Sequence, residues 1–282
     1  MEVYKDVSKS AERGRNVSMF GYDVFGAAMN MAIDEAMLEL SERTRRSFIR
    51  FYNFKRPSII LSSSDHADNI RIENIDGIDV SRRKTGGKPI YLDKNTLSYS
   101  ITGIGAGSDY FKIPESLHKE LGSIIATSIR DMVDPSVSIG LGRYYSIRAN
   151  GMPIAGHGQL VRASNAFLYH GVIAVCKWDH ESINHLLRLV PYDYNSLKSL
   201  PSIDSISKSM GMDADYYKEQ IIKSMLMGFS ENGKADMIGN DDRDAILKRA
   251  VELSAEYSDP KYIFRKDGKL KLSSRFCLLW EG

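Results

Sequence analysis

Apolar residues at Met29, Ile33, Ala36, Met37 and Leu40 recur every three or four positions, which predicts a helix over residues 27–40 with one buried stripe. Asp34 and Glu35 fall off that stripe and read as solvated. Two short strands follow, "SFIRFYNF" and "SIILSS", separated by "KRP", with Pro57 marking the break. A strand running into Ser81, a turn rich in Arg, Lys and Gly, and strands at "KPIYL" and "TLSYSIT" come next.

After the loop "GIGAGSDY", Leu117, Leu121, Ile124, Ile125, Ile129 and Met132 repeat at helical spacing, with Pro114 near the start of that helix. Strands resume at "SVSIG", "YYSIRA", "MPIAGHG" and "AFLYHGVIAVC", and Asn150-Gly151 between the second and third signals a tight hairpin. The order of elements is α+β and lacks the regular βαβ alternation of a dinucleotide-binding fold. Beyond Pro201 the chain turns helical, in "ADYYKEQIIKSMLMGF" and "DDRDAILKRAVELSAEYS", before a tail with a turn at "KDGK". This pattern divides the chain into a main domain over 1–200 and a small helical region over 201–282. Whether the latter is a subdomain or helices docked on the main sheet stays open.

Charge narrows the function classes. Lys plus Arg number 38 and Asp plus Glu 36, a formal +2, so neither nucleic acid nor an anionic membrane is indicated as a partner and any anion site must be local. The polar N-terminus and the lack of a long apolar run lead us to expect a cytoplasmic protein. Two cysteines, Cys176 and Cys277, stand at no metal-like spacing, and the six histidines include no i, i+4 helical pair, so no resident metal is expected. The local concentration of charge is "SRRKTGGKPIYLD", residues 81–93. Glycines admit positive φ and close backbone approach, and consecutive amides in such a turn form an anion nest. Arginine forks suit carboxylate or phosphate. An ordinary hairpin with a basic rim fits the same residues.

Five stretches in order resemble the lipoate–protein ligase and octanoyltransferase family, relatives of biotin–protein ligases. They are "MNMAIDEAML", "RFYNFKRPSIIL", "RRKTGGKPIYLD" with "NTLSYS", "NGMPIAGHGQ" and "YHGVI", and weaker similarity continues through "NSLKSLPSI" to the tail. The resemblance implies a mixed, largely antiparallel sheet flanked by helices, of the class II aminoacyl-tRNA synthetase and biotin synthetase type. It also implies an acyl chain in an apolar tunnel, with its carboxylate or adenylate under the glycine loop. Carried over, Arg82, Arg83 and Thr85 contact the carboxylate or adenylate, with Arg82 dominant. Gly86 and Gly87 form the backbone cradle, and Gly156, His157, His170 and Gly171 line the acyl pocket. For His170 a satisfied core histidine is the competing assignment, while Asn30 and Asp34 fix the helix to the loop. Lipoate or octanoate, ATP and a transient Mg²⁺ are the implied ligands. The implied acceptors are lipoyl domains of 2-oxoacid dehydrogenase E2 subunits and the glycine cleavage H protein, with a separate partner subunit as a further possibility.

The pattern also breaks. The family's ligase lysine falls on Pro153, which has neither charge nor N–H. The cysteine of the octanoyltransferases falls near Ser138, which has no evident base, and Cys176 reads as an inert thiol on an apolar strand. The loop's third glycine is Lys88, and the family's histidine before the final Asp is Leu92. A lysine lost beside a lysine gained gives two expectations: an enzyme in which Lys88 supplies the catalytic charge, or a non-catalytic acyl-binding paralogue.

Overall fold

The computed structural model describes residues 17–65, 77–105, 113–142, 146–177, 201–230 and 235–265. The expected "KDGK" turn, Cys277 and the first six residues of "NSLKSLPSI" (195–200) lie outside them. Strand β1 (Val17–Phe25) leads into helix α1 (Ala27–Thr44), then β2 (Ser47–Phe54), β3 (Ser58–Leu61), β4 (Asp79–Arg82), β5 (Ile90–Leu92) and β6 (Thr96–Ile104). Helix α2 (Ile113–Arg130) precedes β7 (Ile139–Leu141), β8 (Ser146–Ala149), β9 (Met152–Val161) and β10 (Ala166–Ala174). The chain ends in α3 (Ile203–Ile206), α4 (Ala214–Phe229), α5 (Asn240–Ser258) and α6 (Pro260–Ile263).

Seven strands form the main sheet in the order β1-β2-β6-β10-β9-β8-β7, and β4-β3-β5 form a small second one. β1 runs parallel to β2 and β4 parallel to β3, while the other pairs are antiparallel. This is the α+β, mostly antiparallel architecture that the sequence leads one to expect. Asn150 and Gly151 adopt φ of 49° and 81°, the positive values that a two-residue hairpin turn requires, between β8 and β9. β1 escapes the hydropathy pattern because a register shift between Met19 and Gly21 interrupts its alternation.

The two faces of the main sheet differ in chemistry. One carries Ile49, Phe51, Leu97, Tyr99, Ile101, Tyr169 and Ile173, which α2 and α4 cover with Leu121, Ile125, Ile129, Tyr217, Ile221 and Met225. The other carries Phe48 and Tyr52 beside polar Arg50, Ser98, Ser100, Thr102 and His170, all buried beneath α1. Helix α1 is itself covered by α5 through Ile246, Ala250, Leu253 and Tyr257, and so is buried on nearly every side. Helices α4 and α5 therefore join different cores on opposite faces of the sheet, and no core of their own forms among the described residues.

This packing makes the C-terminal helices part of the two main cores. A chain ending at Ser230 lacks the whole α5 contribution to the second core, and it is expected to lose cooperative urea unfolding rather than to retain a folded 1–200 domain. A sharp native-like transition in that fragment, followed by far-ultraviolet circular dichroism, would contradict the shared core.

Candidate active site

The interface between α1 and the sheet is built from polar groups. Asn30, Asp34, Met37 and Ser41 recur at helical spacing on the sheet-facing side of α1. Asn30 Nδ2 donates to the carbonyls of Phe25 and Asn53, both at 3.1 Å. Ser41 Oγ donates to Thr102 Oγ1 at 2.8 Å. The Asp34 carboxylate, 2% exposed, accepts four bonds: Arg50 Nη1 (3.2 Å) and Ser100 Oγ (2.5 Å) on Oδ1, Tyr52 OH (3.3 Å) and His170 Nδ1 (2.9 Å) on Oδ2. That fills its acceptor capacity. Asp34 is therefore not solvated, as its place off the apolar stripe suggested. Burial was misread because the sheet face that receives it is itself polar.

The network continues into the glycine loop. His170 Nε2 lies 2.7 Å from Thr85 Oγ1, and Arg83 Nε donates to the same oxygen at 3.1 Å. With that donation in place, the Thr85 hydroxyl hydrogen goes to Nε2 while Nδ1–H goes to Asp34, a tautomer assigned from the bonding pattern. Arg83 also donates from Nη1 to Ile60 O (3.1 Å) and from Nη2 to Gly86 O (2.8 Å) and Lys88 O (2.9 Å). Gly87, at φ 108°, passes so close that a Cβ there would lie 2.7 Å from Arg83 Nη2. Here the second glycine makes room for an arginine of its own loop.

Adjacent residues at the end of β4 point to opposite sides, and this separates the two arginines. Arg82, fully buried, donates to the carbonyls of Ser62 (2.5 Å), Asp65 (2.8 Å) and Ile263 (2.8 Å), tying the loop to α6. The expectation that Arg82 dominates a head-group contact is therefore corrected: its Nε and Nη1 are spent on protein carbonyls, and the residue is not among those lining the cavity. Lys84 reinforces the same tie through Glu256 at 2.9 Å and Glu35 at 3.6 Å.

A cavity of ≈ 450 Å³, counting its mouth, opens between the loop, α1 and the sheet. Its apolar walls come from Met31, Ile60, Ile90, Leu92 and Val172, its floor includes Gly156, Gly158 and Gly171, and Arg83 and Lys88 bring positive charge from the loop. Glycine is required at Gly158, where a Cβ would lie 2.6 Å from Thr85 Oγ1, and at Gly171, where one would point to the far face of the sheet and lie 2.4 Å from Tyr99 OH. Among the expected site residues, Arg83, Lys88, Gly156, His157, His170 and Gly171 reach the cavity lining. Thr85 acts behind it through His170, Gly87 packs on Arg83, and Gly86 is exposed. Reasoning from sequence missed Met31, Tyr52 and Ser98, whose spacing marks them only as ordinary core positions. Among the described residues no cluster of three His, Cys, Asp or Glu is placed to hold a metal ion.

His157 belongs to the cavity through its backbone alone. It pairs with Gly171 in register with Tyr99, so its side chain shares the far face of the sheet. There its ring stacks on Tyr169 at 5.1 Å, lies 5.7 Å from the His118 ring, and hydrogen-bonds through Nδ1 to Tyr99 OH. Burial pushes the His118 imidazole down to about 4. It holds His157 well below its ordinary value too, with the neighbouring His118 and His170 adding to the effect. Pro153 sits beyond the last β9–β10 pair and beside a register shift with β8, where a missing N–H is tolerated. Ser138 is exposed, its N–H bonded to Asn150 Oδ1 at 2.8 Å, and it lines no cavity described here. Burial and then Asp204 raise the Cys176 thiol to about 11, which suits an inert thiol.

Two predictions follow from these placements. Removing Arg82 leaves three carbonyls unpaired, so Arg82→Ala is expected to lower the unfolding free energy by about 3 kcal/mol, read as a shift in the urea midpoint. The buried imidazoles make stability depend on pH. Their folded pKa values lie below the unfolded value near 6.5, so the unfolded chain binds more protons. The contribution is complete above about 6.5 and is lost as pH falls toward about 4. Between pH 7 and 5 the loss is expected to be on the order of 1–2 kcal/mol per imidazole, and His118→Gln should flatten the slope.

Comparison with known proteins places this geometry. The model of the lipoyl protein ligase A/B catalytic domain matches residues 26–226. The octanoyltransferase LipM of Carboxydothermus hydrogenoformans is 27% identical over 266 residues, covering 86% of this chain and 94% of that protein. Subunit 1 of lipoate-protein ligase A from Thermoplasma acidophilum is 23% identical over 243 residues, covering 83% and 88%. In fold, protein Ta0514 of T. acidophilum with bound lipoic acid superposes with a TM-score of 0.67 at 19% identity, covering 88% of this chain and 98% of its own. A lipoate-protein ligase A bound with ATP gives the same score, identity and coverage. With a family model spanning more than half its length, the chain belongs to the lipoyl protein ligase A/B catalytic-domain family.

Proposed function

We propose that this protein binds lipoate or octanoate in the cavity, activates the carboxylate with ATP, and transfers the acyl group to a lysine of a lipoyl domain. The observation that carries the reading is the cavity itself: aliphatic walls over a glycine floor, with the charge of Lys88 and Arg83 on the loop side. That combination is complementary to a medium-chain acyl group with an anionic head. The relatives' names, an octanoyltransferase and a ligase subunit, fit the same acyl class and leave the donor to be argued from this chain's residues.

A ligase route needs no nucleophilic side chain. A carboxylate oxygen attacks the α-phosphorus of ATP and pyrophosphate leaves; the acceptor amine then attacks the acyl carbonyl, a proton is lost, and AMP departs. Among the described residues neither Ser138 nor Cys176 lines the cavity, which favours this route over a covalent acyl-enzyme. Arg83 has three hydrogen bonds to its own loop and one to Ile60 O on β3, and shapes the wall. Lys88, on a flexible stem, is the group we assign to the carboxylate and phosphate charge that develops during reaction. Mg²⁺ would arrive with the nucleotide. The second reading, an acyl-binding partner without activation, is favoured by one observation, the proline at the family's lysine position.

The discriminating measurement is pyrophosphate release by purified protein on adding octanoate or lipoate with ATP and Mg²⁺. Turnover is expected, Lys88→Ala should reduce it about a hundredfold while leaving the melting temperature unchanged, and biotin should give none. No release, together with an octanoate-induced rise in melting temperature, would establish the binding-only reading instead.

A further inference from the structure

A second, smaller hollow, ≈ 270 Å³ counting the open solvent at its mouth, adjoins the first, and the two share Met31, Arg83 and His170. Its direction is set by the strands. Facing α1, β9 presents Gly156, Gly158 and Leu160 in turn, and β10 presents Val172, His170 and Leu168 opposite them. The first cavity reaches Gly156, Gly158, Val172 and His170, whereas the second begins at His170 and continues to Leu160 and Leu168, with Leu38 and Tyr257 also in its lining. The chambers are thus consecutive along one line.

The charged residues around the second chamber are already engaged. Asp34 has its four donors, Glu35 accepts from Tyr257 OH at 2.7 Å, and Lys84 is held by Glu256 at 2.9 Å. What remains for a guest is carbon from Leu38, Leu160, Leu168 and Met31. Of the three residues that separate the chambers, Arg83 is pinned by four hydrogen bonds and His170 by two. Met31 has none to hold it: it is an unbranched thioether with three rotatable bonds, the side chain best able to reshape a wall.

We infer that Met31 is the end stop of the acyl site and sets the longest chain the protein accepts, with the second chamber as the space a longer chain would occupy. This rests on the acyl-binding reading above. Truncating Met31 joins the chambers, so each added methylene gains an apolar environment worth severalfold in affinity. Enlarging it shortens the site.

The test is isothermal titration of the full chain with hexanoate, octanoate, decanoate and dodecanoate. Wild type is expected to bind octanoate about tenfold or more tighter than dodecanoate. Met31→Ala should bring dodecanoate level with octanoate or better, and Met31→Phe should shift the preference toward hexanoate. Adding Leu168→Trp to Met31→Ala refills the second chamber and should restore the wild-type order. A Met31→Ala protein that still binds octanoate and keeps the wild-type order overturns the role of Met31 alone. Failure of wild type to bind any of these acids overturns the acyl-site reading beneath it.

Discussion

The carboxylate of Asp34 is the point through which the site is organised. A buried anion is tolerable only when its acceptor sites are filled and its charge is compensated, and here the partners come from three places in the chain. Arg50 and Tyr52 arrive on β2, Ser100 on β6 and His170 on β10. Satisfying that one group fixes the rotation of α1 about its axis, the seating of the helix on the sheet, and the orientation of the imidazole that meets the glycine loop. Arg50 is compensated in turn, donating to Asn30 as well as to Asp34, with its guanidinium 4.1 Å from the centre of the Tyr52 ring. The α1 interface is thus directional where the α2 and α4 interface is merely apolar.

Because His170 is held from below, the loop above it inherits a defined position. Thr85, then Arg83, then the carbonyls of Gly86 and Lys88 follow one another as a chain of bonds from the sheet to the cavity wall. From the other side Arg82 and Lys84 anchor the same loop to α5 and α6. The two sides of the turn are therefore tied to elements far apart in the sequence, β10 on one side and the C-terminal helices on the other. A basic turn left to itself would fluctuate and keep its charges in water. Clamped in this way, it holds positive charge against an apolar chamber, where electrostatic interactions are stronger than in bulk solvent.

The departures from the family pattern acquire physical meaning in this setting. Leu92, where the family has a histidine, adds an aliphatic wall to the cavity. Gly158 leaves the room that Thr85 needs to reach His170. Pro153 is accommodated by the irregular end of β9, beside the register shift with β8. Lys88 replaces a glycine at a place whose backbone is already held through its carbonyl by Arg83, so the added side chain did not demand a new loop shape.

By itself the sequence determined the α+β class, nearly every strand, the α1 and α2 helices, the Asn150–Gly151 hairpin and the family resemblance. These rest on local periodicity, turn chemistry and ordered motifs, all of which are written in neighbouring residues. It also singled out the glycine loop and His170 as one neighbourhood. Tertiary structure alone decided which of two adjacent arginines faces the cavity, that the His157 ring lies behind the sheet, that Asp34 is buried, and that α4 and α5 serve different cores. Each of those depends on what a distant element presents. A period-2 alternation shows that Arg82 and Arg83 diverge, yet only the packing of α6 on one side and β9 with β10 on the other shows where each arrives. A helical wheel cannot reveal that the face opposite Asp34 carries an arginine, a serine and a histidine from three separate strands.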